Sequence, residues 1–196
     1  MIHLITGGSG SGKSEYAEHM LCRYRNSPKE RLIYIATMFP YDEEARGKVR
    51  RHRQMRRGKG FETVECYTGL RSVAGMLERE EPVSVLIECI SNLVANELFP
   101  PDRSGRLSDC SEDGQEEAAA PGSAADRVMA GVEAIGGIAA NVVIVTNEVN
   151  SEGLSYGPEM IRYKQVMGEV NCRLARFADR VTEVVYGDAV EVKNSV

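Results

Sequence analysis

No stretch of the chain approaches the roughly 20 consecutive apolar residues that a bilayer-spanning helix needs, which argues against a helical membrane span. The opening residues, Met1-Ile-His-Leu-Ile-Thr6, lack the basic segment of a secretory leader and run straight into glycines. Cysteines are few and unpaired in pattern. Cys22, Cys66, Cys89, Cys110 and Cys172 are scattered, odd in number and without a C-x-x-C pair. That argues against a disulfide framework or a zinc site and predicts a reducing, cytoplasmic setting. Positive charge is not in excess either. The 24 Lys and Arg against 29 Asp and Glu leave a net charge of −5, so nothing pulls the whole chain towards nucleic acid or an anionic membrane. There is no internal repeat. What remains is ordinary for a soluble fold: 196 residues, 42% hydrophobic and 27% charged, suited to one α/β domain.

Short apolar runs punctuate the chain. Ile2 to Thr6 precedes a glycine-rich loop, and Glu15 to Arg25 has helix composition. Leu32 to Ala36, Val83 to Ile87 and Asn141 to Thr146 are further runs rich in β-formers, and each ends in polar residues. Phe61 to Tyr67 alternates as a strand does, and Val181 to Val185 and Ala189 to Val192 read as terminal strands. Continuous apolar runs alternating with helical stretches predict a mainly parallel sheet with helices on both faces. Polar residues at the ends of the runs stand where open parallel sheets bind ligands. Residues 100–126 fit no core. They hold seven acidic and two basic residues and no large apolar residue but Leu107, and predict a mobile acidic surface insertion.

The loop Gly7, Gly8, Ser9, Gly10, Ser11, Gly12, Lys13, Ser14 matches G-x-x-x-x-G-K-[ST] in the strand-to-helix context the motif requires. Glycines let backbone N–H groups converge on phosphate oxygens, and the helix start adds its positive end. Lys13 supplies a cation to the phosphates, and the Ser14 hydroxyl supplies a ligand for Mg²⁺. A carboxylate at a neighbouring strand end should complete the metal site. Glu88 is the first candidate and Glu148 the second.

Arg46, Lys48, Arg50, Arg51, Arg53, Arg56, Arg57 and Lys59 crowd one segment around His52. The segment is short and has no interleaved aromatics for base stacking, so a polyphosphate is a better partner than nucleic acid. Cations on every side would keep His52 neutral and nucleophilic. The residues alone leave its role open between catalysis and solvent exposure. His3 and His19 read as structural.

Taken together, these segments resemble the bifunctional adenosylcobinamide kinase / adenosylcobinamide-phosphate guanylyltransferase family. The matching pieces are Ile5-Thr-Gly-Gly-Ser-Gly-Ser-Gly-Lys-Ser14, Tyr34-Ile-Ala-Thr37, His52-Arg53, Thr63-Val-Glu-Cys66, Leu86-Ile-Glu-Cys-Ile90, Val143-Ile-Val-Thr-Asn-Glu-Val149 and Gly168-Glu-Val-Asn-Cys-Arg-Leu-Ala175. The resemblance implies a RecA-like P-loop fold in a homo-oligomer, often a trimer. It implies phosphorylation of adenosylcobinamide with ATP or GTP, then transfer of GMP from GTP through a GMP-histidine intermediate. It places the nucleophile on His52 and further nucleotide contacts on Ala36, Thr37, Met38, Arg53, Gln54, Met55, Arg56, Glu65 and Glu88. Three features depart from the family pattern: Arg51-His52 stands where some relatives carry two adjacent histidines, Gly58 follows Arg57 where proline is common, and Asn150 to Tyr156 replace a glycine-rich continuation. Without the resemblance, a plain P-loop small-molecule kinase and a nucleotide-dependent switch stay open.

Overall fold

The computed structural model describes residues 1–77, 81–100, 122–149 and 157–195. In chain order the elements are β1 (Ile2–Thr6), α1 (Lys13–Tyr24), β2 (Arg31–Ala36), α2 (Glu43–Arg56), β3 (Phe61–Glu65), α3 (Arg71–Leu77) and β4 (Val83–Glu88). There follow α4 (Ile90–Leu98), α5 (Ala124–Gly136), β5 (Asn141–Val145), α6 (Pro158–Phe177), β6 (Arg180–Val185) and β7 (Asp188–Asn194). The strands form one sheet in the order β3-β2-β4-β5-β1-β6-β7. All neighbours are parallel except β6 and β7.

Successive side chains of a strand point to opposite faces, and here both faces are covered. Ile33, Ile35, Val85, Ile87, Val142 and Ile144 pack with residues of α3, α4, α5 and α6. Leu32, Tyr34, Leu86, Val143 and Val145 pack on the other face with Ala17 and Leu21 of α1. Burial on both sides is why these strands read as unbroken apolar runs rather than alternating ones. The expected α/β architecture, mainly parallel with helices on both faces, is therefore the one observed. Among the described residues, no helix is long and apolar enough to cross a membrane.

One boundary differs from expectation. The acidic insertion read as 100–126 stops sooner, because α5 begins at Ala124 under a capping box. The Ser123 hydroxyl accepts from the Asp126 backbone N–H at 3.1 Å, and the Asp126 carboxylate accepts from the Ser123 N–H at 3.1 Å. Ala124 and Ala125 are buried. Alanine is too small for composition to distinguish a helix start from a small-residue loop. The rest of that expectation, 101–121, falls outside the described residues.

The β6–β7 turn holds Tyr186 at φ 51° and Gly187 at φ 91°, the left-handed pair of a two-residue hairpin. Its tip reaches across to the glycine loop, where the Gly187 N–H donates to the Ser11 carbonyl at 2.9 Å.

Candidate active site

The carboxyl ends of β1, β2 and β4 open on one side of the sheet, and the polar residues gather there. After β1 the chain turns through Gly7, whose φ of 144° suits glycine and whose added Cβ would lie 2.3 Å from the Val184 carbonyl oxygen. Gly12, in the left-handed region, is the residue before the first turn of α1. Lys13 is buried and its ammonium donates to the Gly8 carbonyl at 2.5 Å. Burial pushes its pKa down, against Cys89 and Glu88 nearby, which favour the charged form.

Glu88 closes β4 and is the hub of the site. The Ser14 hydroxyl donates to Oε1. The Tyr34 hydroxyl donates to Oε2 at 2.8 Å. His52 Nδ1 lies 3.4 Å from Oε1. Tyr34 stays a protonated donor, since burial first and the Glu88 charge second push its pKa up. The sheet dictates this meeting, because β2 and β4 pair with Ala36 beside Glu88 and Tyr34 beside Leu86.

Beside Glu88 lies a cavity of about 360 Å³ between α2 and the ends of β2, β3 and β4. Asp42 starts α2 as its N-cap, accepting from the Ala45 N–H at 2.6 Å. Arg46, Val49, Arg50, Arg53 and Arg56 then recur at helical spacing and line the cavity together with His52. Their charges are largely spoken for. Arg50 pairs with Glu43 at 2.8 Å, and Arg53 pairs with Glu65. The buried Arg56 guanidinium lies over the Tyr34 ring, 3.5 Å from its centroid. Glu65 also accepts from the Tyr67 hydroxyl at 2.8 Å. That bond, followed by the Arg53 guanidinium, holds its carboxyl below the usual range.

The surroundings expected for His52 therefore need correcting. Its charged neighbour at 3.4 Å is the carboxylate of Glu88, and of the arginines sharing its cavity Arg50 is held by Glu43, Arg53 by Glu65 and Arg56 over the Tyr34 ring. Of the other sequence candidates, Ala36, Met38, Arg53, Arg56, Glu65 and Glu88 line the cavity. Thr37 is fully buried and spends its hydroxyl on the Cys89 carbonyl at 2.7 Å. Gln54 is exposed and Met55 half-buried, and neither lines the cavity. Nor do Arg51 and Arg57, both exposed. The glycine loop adjoins the cavity through the Ser14–Glu88 bond. Sequence reading missed Tyr34, Tyr67 and Asn92, which line the cavity. A tyrosine inside an apolar run was the available signal for Tyr34.

Residues 3–192 match the family model described as cobinamide kinase / cobinamide phosphate guanyltransferase. The chain belongs to this family. It is 32% identical to the "Bifunctional adenosylcobalamin biosynthesis protein CobU" of Salmonella typhimurium over 98% of this chain and 100% of that protein. Identity to the protein of the same name from Escherichia coli is also 32%, with the same coverage. The Pseudomonas aeruginosa "Bifunctional adenosylcobalamin biosynthesis protein CobP" is 28% identical over 98% of each chain. Among solved structures, the "ATPase Domain of G40P" superposes with a TM-score of 0.52 at 9% identity, covering 99% of this chain and 77% of that one. That likeness shows the fold alone, a RecA-like α/β architecture, as expected from sequence. The cobinamide kinase / guanyltransferase family thus supplies the frame for the site, and the chain is an enzyme of cobalamin biosynthesis.

Proposed function

We propose that this chain performs both family reactions around Glu88, phosphorylating adenosylcobinamide with ATP or GTP and then transferring GMP from GTP through His52. In the first reaction the loop from Gly7 to Ser14 cradles the triphosphate, and Lys13 leaves the Gly8 carbonyl to meet phosphate oxygens. Ser14 and Glu88 offer two adjacent hard oxygens, a donor set that fits Mg²⁺, which takes few protein ligands and keeps phosphate and water oxygens. When bound, the ion neutralises phosphate charge.

In the second reaction His52 Nδ1 faces Glu88, so the carboxylate holds that nitrogen protonated and leaves the lone pair on Nε2. Nε2 attacks the α-phosphorus of GTP, the bond to the bridging oxygen breaks and pyrophosphate departs. A phosphate oxygen of adenosylcobinamide phosphate then attacks the same phosphorus and the N–P bond breaks, returning free imidazole. Arg53 and Arg56 line the cavity, and in this reading their guanidinium groups neutralise charge on the phosphorus and the leaving group. Two displacements spare the enzyme from aligning two large anions at once.

The observation carrying this reading is the unbroken contact from Ser14 through Glu88 to His52. Intact mass spectrometry after GTP and Mg²⁺ tests it. A covalent guanylate, acid-labile, alkali-stable and mapped to His52, is expected. His52→Ala should lose the adduct and the transfer while still phosphorylating adenosylcobinamide. Guanylate on a lysine or serine, or near wild-type transfer by the alanine variant, contradicts it.

A further inference from the structure

A second cavity, of about 240 Å³, lies against the first and shares two of its walls, Met38 and Asn92. Its character is different. Phe39, Tyr41 and Phe99 give it aromatic surface, and Ala45 and Ala95 leave room between α2 and α4. Phe39 is fixed edge-on against Tyr67, with ring centroids 5.0 Å apart. Tyr41, at 53% exposure, leaves apolar surface uncovered at the mouth.

Most polar side chains around this cavity are committed; among the described residues the Tyr41 hydroxyl at the mouth and the Asn92 carboxamide in the wall are not. Lys48, the one cation lining it among the described residues, pairs with Glu44 at 2.7 Å. Asp42 is occupied in capping α2. Asn96 donates from its carboxamide to the Thr37 and Tyr67 carbonyls at 2.9 and 3.0 Å. Asn92 lies one helical turn before Asn96 on α4, in the wall between the two cavities. Its carboxamide has no hydrogen-bond partner among the described residues.

A cavity with aromatic walls, one lysine against the two carboxylates of Asp42 and Glu44, and one uncommitted amide is a poor seat for a polyphosphate and a good one for a flat, largely apolar body edged with amides. Cobinamide is such a body, a conjugated macrocycle carrying amide side chains. The chemistry also requires a second seat. Once GMP is on His52, the acceptor phosphate must reach the phosphorus while its bulk stays outside the volume the nucleotide fills. We infer that the cavity between α2 and α4 seats the amide-bearing edge of the corrinoid acceptor, with Asn92 hydrogen-bonding one of its amides. This rests on the proposed transfer reaction for its acceptor. The volume accommodates one edge of the macrocycle, with the remainder over the mouth at Tyr41.

Two variants test this seat. Ala95→Phe fills the second cavity from a position that does not line the first; Asn92→Leu removes the amide while keeping the branched shape of the side chain. Adenosylcobinamide absorbs visible light, so equilibrium dialysis measures its binding without turnover, and intact mass measures labelling by GTP. Both variants should bind adenosylcobinamide at least tenfold more weakly than wild type, and Ala95→Phe, which lies outside the first cavity, should keep guanylate labelling within about twofold. Unchanged acceptor binding in either folded variant overturns the proposal. So does lost labelling with acceptor binding intact, which would give the cavity to the nucleotide. If Ala95→Phe does not fold, Asn92→Leu decides alone. Wild-type protein that binds the acceptor but takes no label would sink the transfer reading and leave this one standing. Wild-type protein that does not bind the acceptor would sink this one.

Discussion

Lys13 precedes Ser14 in the chain and Glu88 accepts the Ser14 hydroxyl, and in the proposed reading both serve either reaction. Lys13→Ala should therefore depress phosphorylation and guanylyl transfer together, each by at least tenfold, measured in separate assays with ATP and GTP. Transfer at the wild-type rate would require a second nucleotide site. Tyr34→Phe is a finer probe. It deletes the hydroxyl bonded to Glu88 at 2.8 Å and keeps the ring beneath Arg56. Stability should fall by about 1 kcal/mol, the usual net value of a lost hydrogen bond, while labelling of His52 slows because the carboxylate facing it is less firmly held. Stopped-time mass spectrometry and a melting curve separate the two effects. Lys13, Ser14 and Glu88 were legible in the sequence because a local motif and a strand end announce them. Tyr34 was not, since its partner is 54 positions away and meets it only through the β2–β4 register.

Helix α2 shows what composition reveals and what it hides. The charge of the segment was plain in the sequence, but which arginines turn inward depends on the helical phase set by Asp42. Arg53→Ala should slow transfer more than tenfold, and Arg51→Ala should change it less than about twofold, since the latter is exposed and does not line the cavity. Equal effects from the two would show that the segment acts through bulk charge. The start of α5 makes a parallel point about boundaries. Replacing 101–121 with a short Gly/Ser bridge should move the melting temperature by less than about 2 °C, because that stretch holds little large apolar surface and loop closure depends weakly on length. Extending the deletion through Ala125 removes the Ser123 cap and two buried alanines. With a cap worth about 1 kcal/mol and buried methyls adding a similar amount, that variant should melt roughly 4–8 °C lower.

Across the whole molecule, the strand order was the least legible feature, because no local pattern says that β1 lies between β5 and β6. That placement brings His3 of β1 beside Thr182 of β6. Its ring bonds the Thr182 hydroxyl at 2.8 Å and the Tyr24 hydroxyl at 2.9 Å. Burial, helped by Arg180, lowers its pKa from 6.5 to about 4. Between those values the unfolded chain binds a proton that the folded one refuses. Stability is therefore whole above pH 6.5 and falls as the pH drops towards 4, by about 2 kcal/mol at pH 5 from this group. His3→Gln should flatten that part of the melting profile relative to wild type, and an unchanged slope would assign the acid sensitivity elsewhere. The same adjacency of β1 and β6 bears on the order of synthesis. The glycine loop leaves the ribosome well before β6 and β7, yet Gly7 is fitted against the Val184 carbonyl and Ser11 is bonded by Gly187. At 5–20 residues per second the growing chain carries an unfinished loop for roughly 10–30 s. A nascent chain stalled before β6 thus displays the whole phosphate-binding motif and should fail to hold on a GTP resin. The loop is made long before the hairpin that completes it.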